Sequence, residues 1–404
     1  LYYASLGGLQ RAVQTLLEEG ANVNAQDGRY GNALQAASSR GYEKIVQILL
    51  EKGAHVNAQD GRYGNALQAA SLEGHEKIVQ ILLEKGADIN AQDGRYGNSL
   101  QAASLEGNEK IVQILLEKGA HVNAQGGRYG NALQAASLEG HEKIVQILLE
   151  KEAHVNAQGG EYGNALQAAS LGGYEKIVQI LLEKGADINV QGGYYGNALQ
   201  AASSEGHEKI VQILLEKGAH VNAQGGEFGN ALQAASFGGH EKIVQILLKK
   251  GADVNIQGGY FGNALQAASS RGYEKIVQIL LEKGAHVNAQ GGYFGNAFQA
   301  ASSEGHEKIM QILLEKGAHV NAQGGYFGNA FQAASFGGHE KIVQILLEKG
   351  ADVNAQGGEF GNALQAASLG GHEKIVQILL EKGAYINAQG GDYGNAVKGS
   401  VTSL

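Results

Sequence analysis

Apolar and polar positions along this chain fall into two alternating patterns, and the alternation repeats. In residues 76–85 the apolar side chains Ile78, Val79, Ile81, Leu82 and Leu83 share one broad face, with Glu76, Lys77, Gln80, Glu84 and Lys85 opposite. That is the spacing of an amphipathic helix. An early Glu76 and a late Lys85 suit its dipole, and Gly86 is the stop signal. Ahead of it, Ala66, Leu67, Gln68, Ala69 and Ala70 follow Asn65, a good N-cap, and run out before Gly74, which predicts a first, shorter helix. Gly61 and the following Arg62-Tyr63-Gly64 predict a sharp turn before that helix.

The string GNALQAAS, or a near copy, begins at Gly31 and returns every 33 residues. Eleven complete units run over 27–389, a partial unit occupies 1–26, and a further partial unit occupies 390–404. A single short period of this kind means one solenoid rather than two or three ordinary domains. One helix pair cannot bury its apolar face alone, so neighbouring units must cover each other, and Ala69 and Ala70 are small enough to allow close approach. At ~10 Å per unit, an arc on the order of 110 to 120 Å is expected. Leu1 aligns with Leu34, inside a first helix and without the cap that Asn32 provides one unit later, so the chain reads as a fragment. At the other end Lys398 and Gly399 break the repeat. Glu152 stands where the other units have a helix-stopping glycine; a left-handed residue there costs about 1 kcal/mol and predicts a local weak point.

Composition narrows the function. The chain has 31 basic and 40 acidic residues, a net charge of −9, and no block of like charge. This argues against a nucleic-acid or anionic-membrane binder driven by bulk charge. Absence of cysteine excludes disulfides, thiolate nucleophiles and cysteine-ligated zinc, and fits a reducing, cytoplasmic setting. Apolar runs such as Ile78 to Leu83, interrupted by Gln80, fall far short of a ~20-residue membrane span, and no signal peptide is present. The thirteen histidines recur mainly at two repeat positions, exemplified by His75 and His121, with no metal-ligand spacing. The GGRYG glycines lack the lysine and serine or threonine of a phosphate loop. Acidic residues sit as Glu-Lys neighbours on a solvated face, with no paired carboxylates in an apolar setting. No catalytic residue, metal site or cofactor is expected, and the chain does not read as an enzyme.

The unit itself resembles an ankyrin repeat, and the resemblance covers almost the whole chain. It rests on the 33-residue length, Leu67 at the eighth position, the Gly74-His75 pair, the Ile78 to Leu83 core and the Gly86 to Gln92 exit. Asn65, Ala66 and Gln68 stand where ankyrin repeats usually carry TPLH. Asparagine still caps and glutamine still donates and accepts, so the fold should survive with altered hydrogen bonding. The resemblance implies an all-α solenoid of stacked helix-turn-helix units joined by hairpin-like turns. The GNALQAAS variant is similar to the arrays at the C-terminal end of large fungal NLR-like receptors, where the family implies that the array senses a ligand and a separate nucleotide-binding domain signals.

Differences among the copies locate the candidate site. The turn tip reads Arg29, Arg62, Arg95, Arg128, Glu161, Tyr194, Glu227, Tyr260, Tyr293, Tyr326, Glu359 and Asp392. The end of the first helix varies as well, with Leu72, Leu105, Leu138, Leu171, Phe237, Phe336 and Leu369 as its large members. By resemblance, ankyrin proteins bind partners with turn tips and the exposed face of the inner helix. Arginine and aromatic tips beside exposed leucines have interface composition, and Leu72, Leu105, Leu138 and Leu171 would form an apolar stripe large enough to need covering. Drift alone should also have altered Glu76, Lys77 and Gln80, which favours an interface. Arginine tips early and tyrosine tips later would give two differently charged halves. Tyr63 and its counterparts are expected to pack beneath the loops. The chain thus reads as a scaffold that holds a protein partner along its concave face, as the sensing array of a larger receptor-like protein. The alternative is a structural solenoid that associates end to end, motivated by exposed Leu1 and Tyr3.

Overall fold

A computed structural model describes residues 1–388 and 390–392; Gln389, Lys398 and Gly399 lie outside the described residues. Among the described residues the chain forms 24 helices in stacked pairs and no sheet. They fall into two compact units, Leu1–Ala198 and a second beginning at Leu199.

The repeat over residues 60–92 stands for the others. Its first helix is Ala66–Leu72 and its second Glu76–Glu84. Asn65 caps the first, its Oδ1 accepting from the Gln68 amide at 2.8 Å. The chain then turns back at Gly74, where φ is +79°, a conformation that costs a residue with Cβ. Ile78, Val79 and Leu82 of the second helix are fully buried, and so are Ala69 and Ala70 of the first. First helices of successive repeats within each unit pack against one another more closely than second helices do. The alanines make that approach possible.

Three polar ladders join neighbouring repeats. Gln68 accepts from the Asn65 amide through Oε1 and donates through Nε2 to Gly97 O of the next repeat at 2.9 Å, with Ala91 O and Asp93 O at 3.3 and 3.4 Å. This residue replaces the histidine of TPLH and takes over the bonding between repeats. Asn57 clamps the next repeat with both ends of its amide, donating to Gly86 O at 3.1 Å and accepting from the Asp88 amide at 2.7 Å. The same pair of bonds recurs from Asn24 to Asn354. On the second helices Lys77 pairs with Glu43 of the preceding repeat, Lys110 with Glu76 and Lys242 with Glu208, each at 3.7 Å. These pairs are exposed, so each contributes ~0.2 to 1 kcal/mol. Stacking thus gives Glu76 and Lys77, but not Gln80, a reason to stay constant, which removes those two from the expectation above.

Glu152 has φ of +63°, the only positive value at a non-glycine among the described residues, so the expected strain is present. One difference between repeats was not expected. The reciprocal cap through Gln Oε1 is complete in the repeats that open with Asp27, Asp60 and Asp93. In the repeat opening with Gly126, the Asn131 amide bonds Tyr129 O instead, and Gln134 Oε1 is buried without a hydrogen-bond partner.

Candidate functional site

The tips are built by a hairpin-like turn. The Asp60 amide bonds Gly64 O at 2.8 Å and closes it; the Arg62 amide then bonds Arg29 O of the preceding tip at 3.0 Å. Similar bonds join Arg128 to Arg95, Tyr194 to Glu161, Tyr293 to Tyr260 and Tyr326 to Tyr293. These bonds tie most neighbouring tips within each unit, although Arg62 and Arg95 are not joined this way. Position alone decides which side chain leaves that row.

Under the tips of the first unit runs a stack of tyrosines. Tyr30, Tyr63, Tyr96, Tyr129 and Tyr162 succeed one another at centroid distances of 5.4, 6.1, 6.4 and 5.9 Å. Packing beneath the loop, as expected, shields these rings: Tyr63 and Tyr96 are buried. The Tyr63 hydroxyl donates to Glu73 at 2.8 Å, and burial, with that bond, pushes its pKa well above the ordinary phenol value. Burial also raises Glu106, with help from Glu139 and Glu73.

This stack corrects the leucine stripe. Leu72 is 6% exposed and Leu105 5%, clustered with Tyr63 and Tyr96, while Leu138 and Leu171 are half-buried. The turn folds its aromatic residue back over the end of the first helix, so leucines read as exposed become part of the wall of the tyrosine stack. In the second unit Phe237 and Phe336 do likewise, at 4.5 Å from Phe261 and 4.4 Å from Phe360. Leu369 is also half-buried.

What remains outside is the tip row. Arg29, Arg62 and Arg95 are exposed, while Arg128 is half-buried and paired to Glu161 of the next tip at 2.6 Å. Tyr194 is 50% exposed and Tyr260 45%. Tyr260, Tyr293 and Tyr326 stack at 5.0 and 4.9 Å, above a phenylalanine row that includes Phe261, Phe294 and Phe327. Burial pushes the Tyr293 hydroxyl up to about 12, reinforced by Tyr260, Tyr326, Glu359 and Glu304. Tyr260 is raised by burial, then by Glu227 and Glu304. These carboxylates and Arg271, whose guanidinium lies 4.7 Å from the Phe237 centroid, were left out of the sequence-based site. Glu227 and Glu359 were signalled by variation at the tip, and Glu304 and Arg271 by variation beside the helix end.

The histidines at the His75 position serve the fold: His75 Nε2 lies 3.2 Å from Ser39 O and His141 Nε2 2.8 Å from Leu105 O, each on the preceding repeat. Among the described residues no cluster of three or more His, Cys, Asp or Glu residues suited to a metal ion occurs, and no helix is long and apolar enough to cross a membrane.

A family model described as Ankyrin repeats (3 copies) matches residues 1–93, 99–192, 167–258, 232–324 and 297–390. No curated protein matches the chain. With the stacked helix pairs and 33-residue period, matches covering nearly all of the sequence show that the chain belongs to the ankyrin-repeat family.

Proposed function

We propose that this chain is a protein-binding module that holds its partner against the tip row on its concave face, as the sensing array of a larger, intracellular receptor-like protein. Ankyrin repeats are generally protein-interaction modules, without catalytic activity of their own. One observation carries the reading: the residues that stack the repeats differ from those that vary. Asn57, Gln68, Glu76 and Lys77 bind the next or preceding repeat and recur throughout. The tip position, tied through most of its backbone to the neighbouring tips, changes from arginine to glutamate to tyrosine. A fixed scaffold with variable projecting side chains suits recognition.

The test is capture from an extract of the cells that make the protein, with the intact chain beside a variant carrying serine at Arg29, Arg62, Arg95, Tyr194, Tyr260, Tyr293 and Tyr326. The buried leucines are left alone, because changing them would disturb packing. A protein held by the intact chain and lost by an equally folded variant is expected; identical capture by both would overturn the reading. An unliganded solenoid that associates with itself end to end is the second reading. Light scattering that shows growth with concentration would support it.

A further inference from the structure

The two tip rows differ in where their cations come from. In the first unit Arg128 makes two contacts at once: its Nε meets Glu161 of the next tip, and its guanidinium lies 5.9 Å from the Tyr162 centroid. Arg62 lies similarly 5.8 Å from Tyr63. Carboxylate on one side and ring on the other is a favourable setting for guanidinium, which stacks on aromatic faces and bonds carboxylates in its plane.

The second unit has the rings and the carboxylates without the arginines. From Leu199 onward the chain contains one arginine, Arg271, and it sits on Phe237. Tyr260 follows Glu227 in the tip row, its amide bonded to Glu227 O at 2.8 Å. Glu304 adds to the burial that raises Tyr260 and Tyr293, and accepts from the Ser303 hydroxyl at 3.1 Å. The tips from Glu227 to Asp392 carry no basic residue. Lysines here lie on the second helices, where Lys242, Lys275, Lys308, Lys341 and Lys374 pair with the preceding repeat.

We infer that the tip row of the second unit takes an arginine from an extended basic segment of the partner, seated on the half-exposed Tyr260 ring beside the Glu227 tip, in the negative field of Glu227 and Glu304. The inference rests on the module reading and adds the chemistry of the partner. Arginine is favoured over lysine because a planar cation can stack on the ring and bond a carboxylate together. A nucleic acid is disfavoured by the same carboxylates.

Calorimetric titration of the full chain with a twelve-residue peptide of alternating arginine and glycine tests it, with lysine-glycine and glutamate-glycine peptides alongside. The arginine peptide should bind, the lysine peptide several-fold more weakly, and the glutamate peptide not at all. Glu227→Gln with Glu304→Gln should weaken binding about tenfold, and so should Tyr260→Ser. Tyr260→Phe, which keeps the ring, should retain most of it. Serine at Arg29, Arg62 and Arg95 should leave the affinity unweakened. Unchanged melting curves exclude loss of fold as the cause. Equal binding of the arginine and glutamate peptides, or indifference to the Glu227, Glu304 and Tyr260 changes, would overturn the inference. A captured partner that depends on the tips but meets Tyr260 with an acidic or apolar segment would overturn it too, while leaving the module reading intact.

Discussion

In the first unit four arginine tips lie over stacked tyrosines, and in the second three tyrosine tips lie over stacked phenylalanines. Both are built on the same turn, with the same tip-to-tip backbone bonds. The first unit's lower ring keeps a hydroxyl and needs a partner for it, which Glu73 supplies to Tyr63. The second unit's lower ring is purely apolar and recruits Phe237 and Phe336 as side walls, moving its hydroxyls up to the tip. Tyr63 thus bonds its hydroxyl inside the first unit, whereas Tyr260, Tyr293 and Tyr326 carry theirs at the tips of the second. The fold tolerates either choice because the ladders of asparagine, glutamine and ion pairs do not involve the ring.

The largest break in this comparison should come from emptying the lower row. Phe261→Ala removes a buried ring packed on Phe228 and Phe237 and should cost about 3–5 kcal/mol in urea unfolding. Tyr63→Phe, which removes only the hydroxyl bond, should cost about 1 kcal/mol. A smaller effect in the opposite sense is expected from Glu152→Gly. Relief of the left-handed backbone should stabilise by about 1 kcal/mol. In the unmodified chain, amides of the repeats flanking Glu152 should exchange faster than those of other central repeats, and uniform protection would refute this.

Gly126→Asp sharpens the difference between aspartate- and glycine-opened turns. Gly126 has no positive φ, and a Cβ added there would meet nothing nearer than Gln92 Oε1 at 3.4 Å. Completing the cap through Gln134 should add about 0.5–1 kcal/mol, read as a higher melting temperature. The smallest effect is at alkaline pH. Because the folded pKa of Tyr293 is raised, its contribution is full below the ordinary phenol value of 10 and is lost as pH climbs through about 12. Tyr293→Phe should therefore flatten the stability curve between pH 10 and 12, as spectrophotometric titration with melting at each pH would show.

The period, the two helices, the Asn65 cap, the turn at Gly74 and the strain at Glu152 were all legible, because each follows from local backbone chemistry written in single residues. The Gln68 and Asn57 bonds were not, since their acceptors lie in the next repeat and an invariant polar residue looks the same whether bonded or solvated. The stripe of Leu72 and Leu105 failed for a related reason. Helical periodicity places them on an outer face, and only the fold of the turn brings Tyr63 and Tyr96 down over them. The tip row was legible as variation, but its spacing, and the carboxylates beside Tyr260, required three dimensions.

Amide hydrogen exchange of the full chain, alone and with its captured partner, tests the central claim most directly. The account predicts slowed exchange in peptides covering the turns, such as 225–229, 258–262 and 291–295, with the second helices unchanged. Protection confined to the second helices, with the turns exchanging as in the free chain, would contradict it.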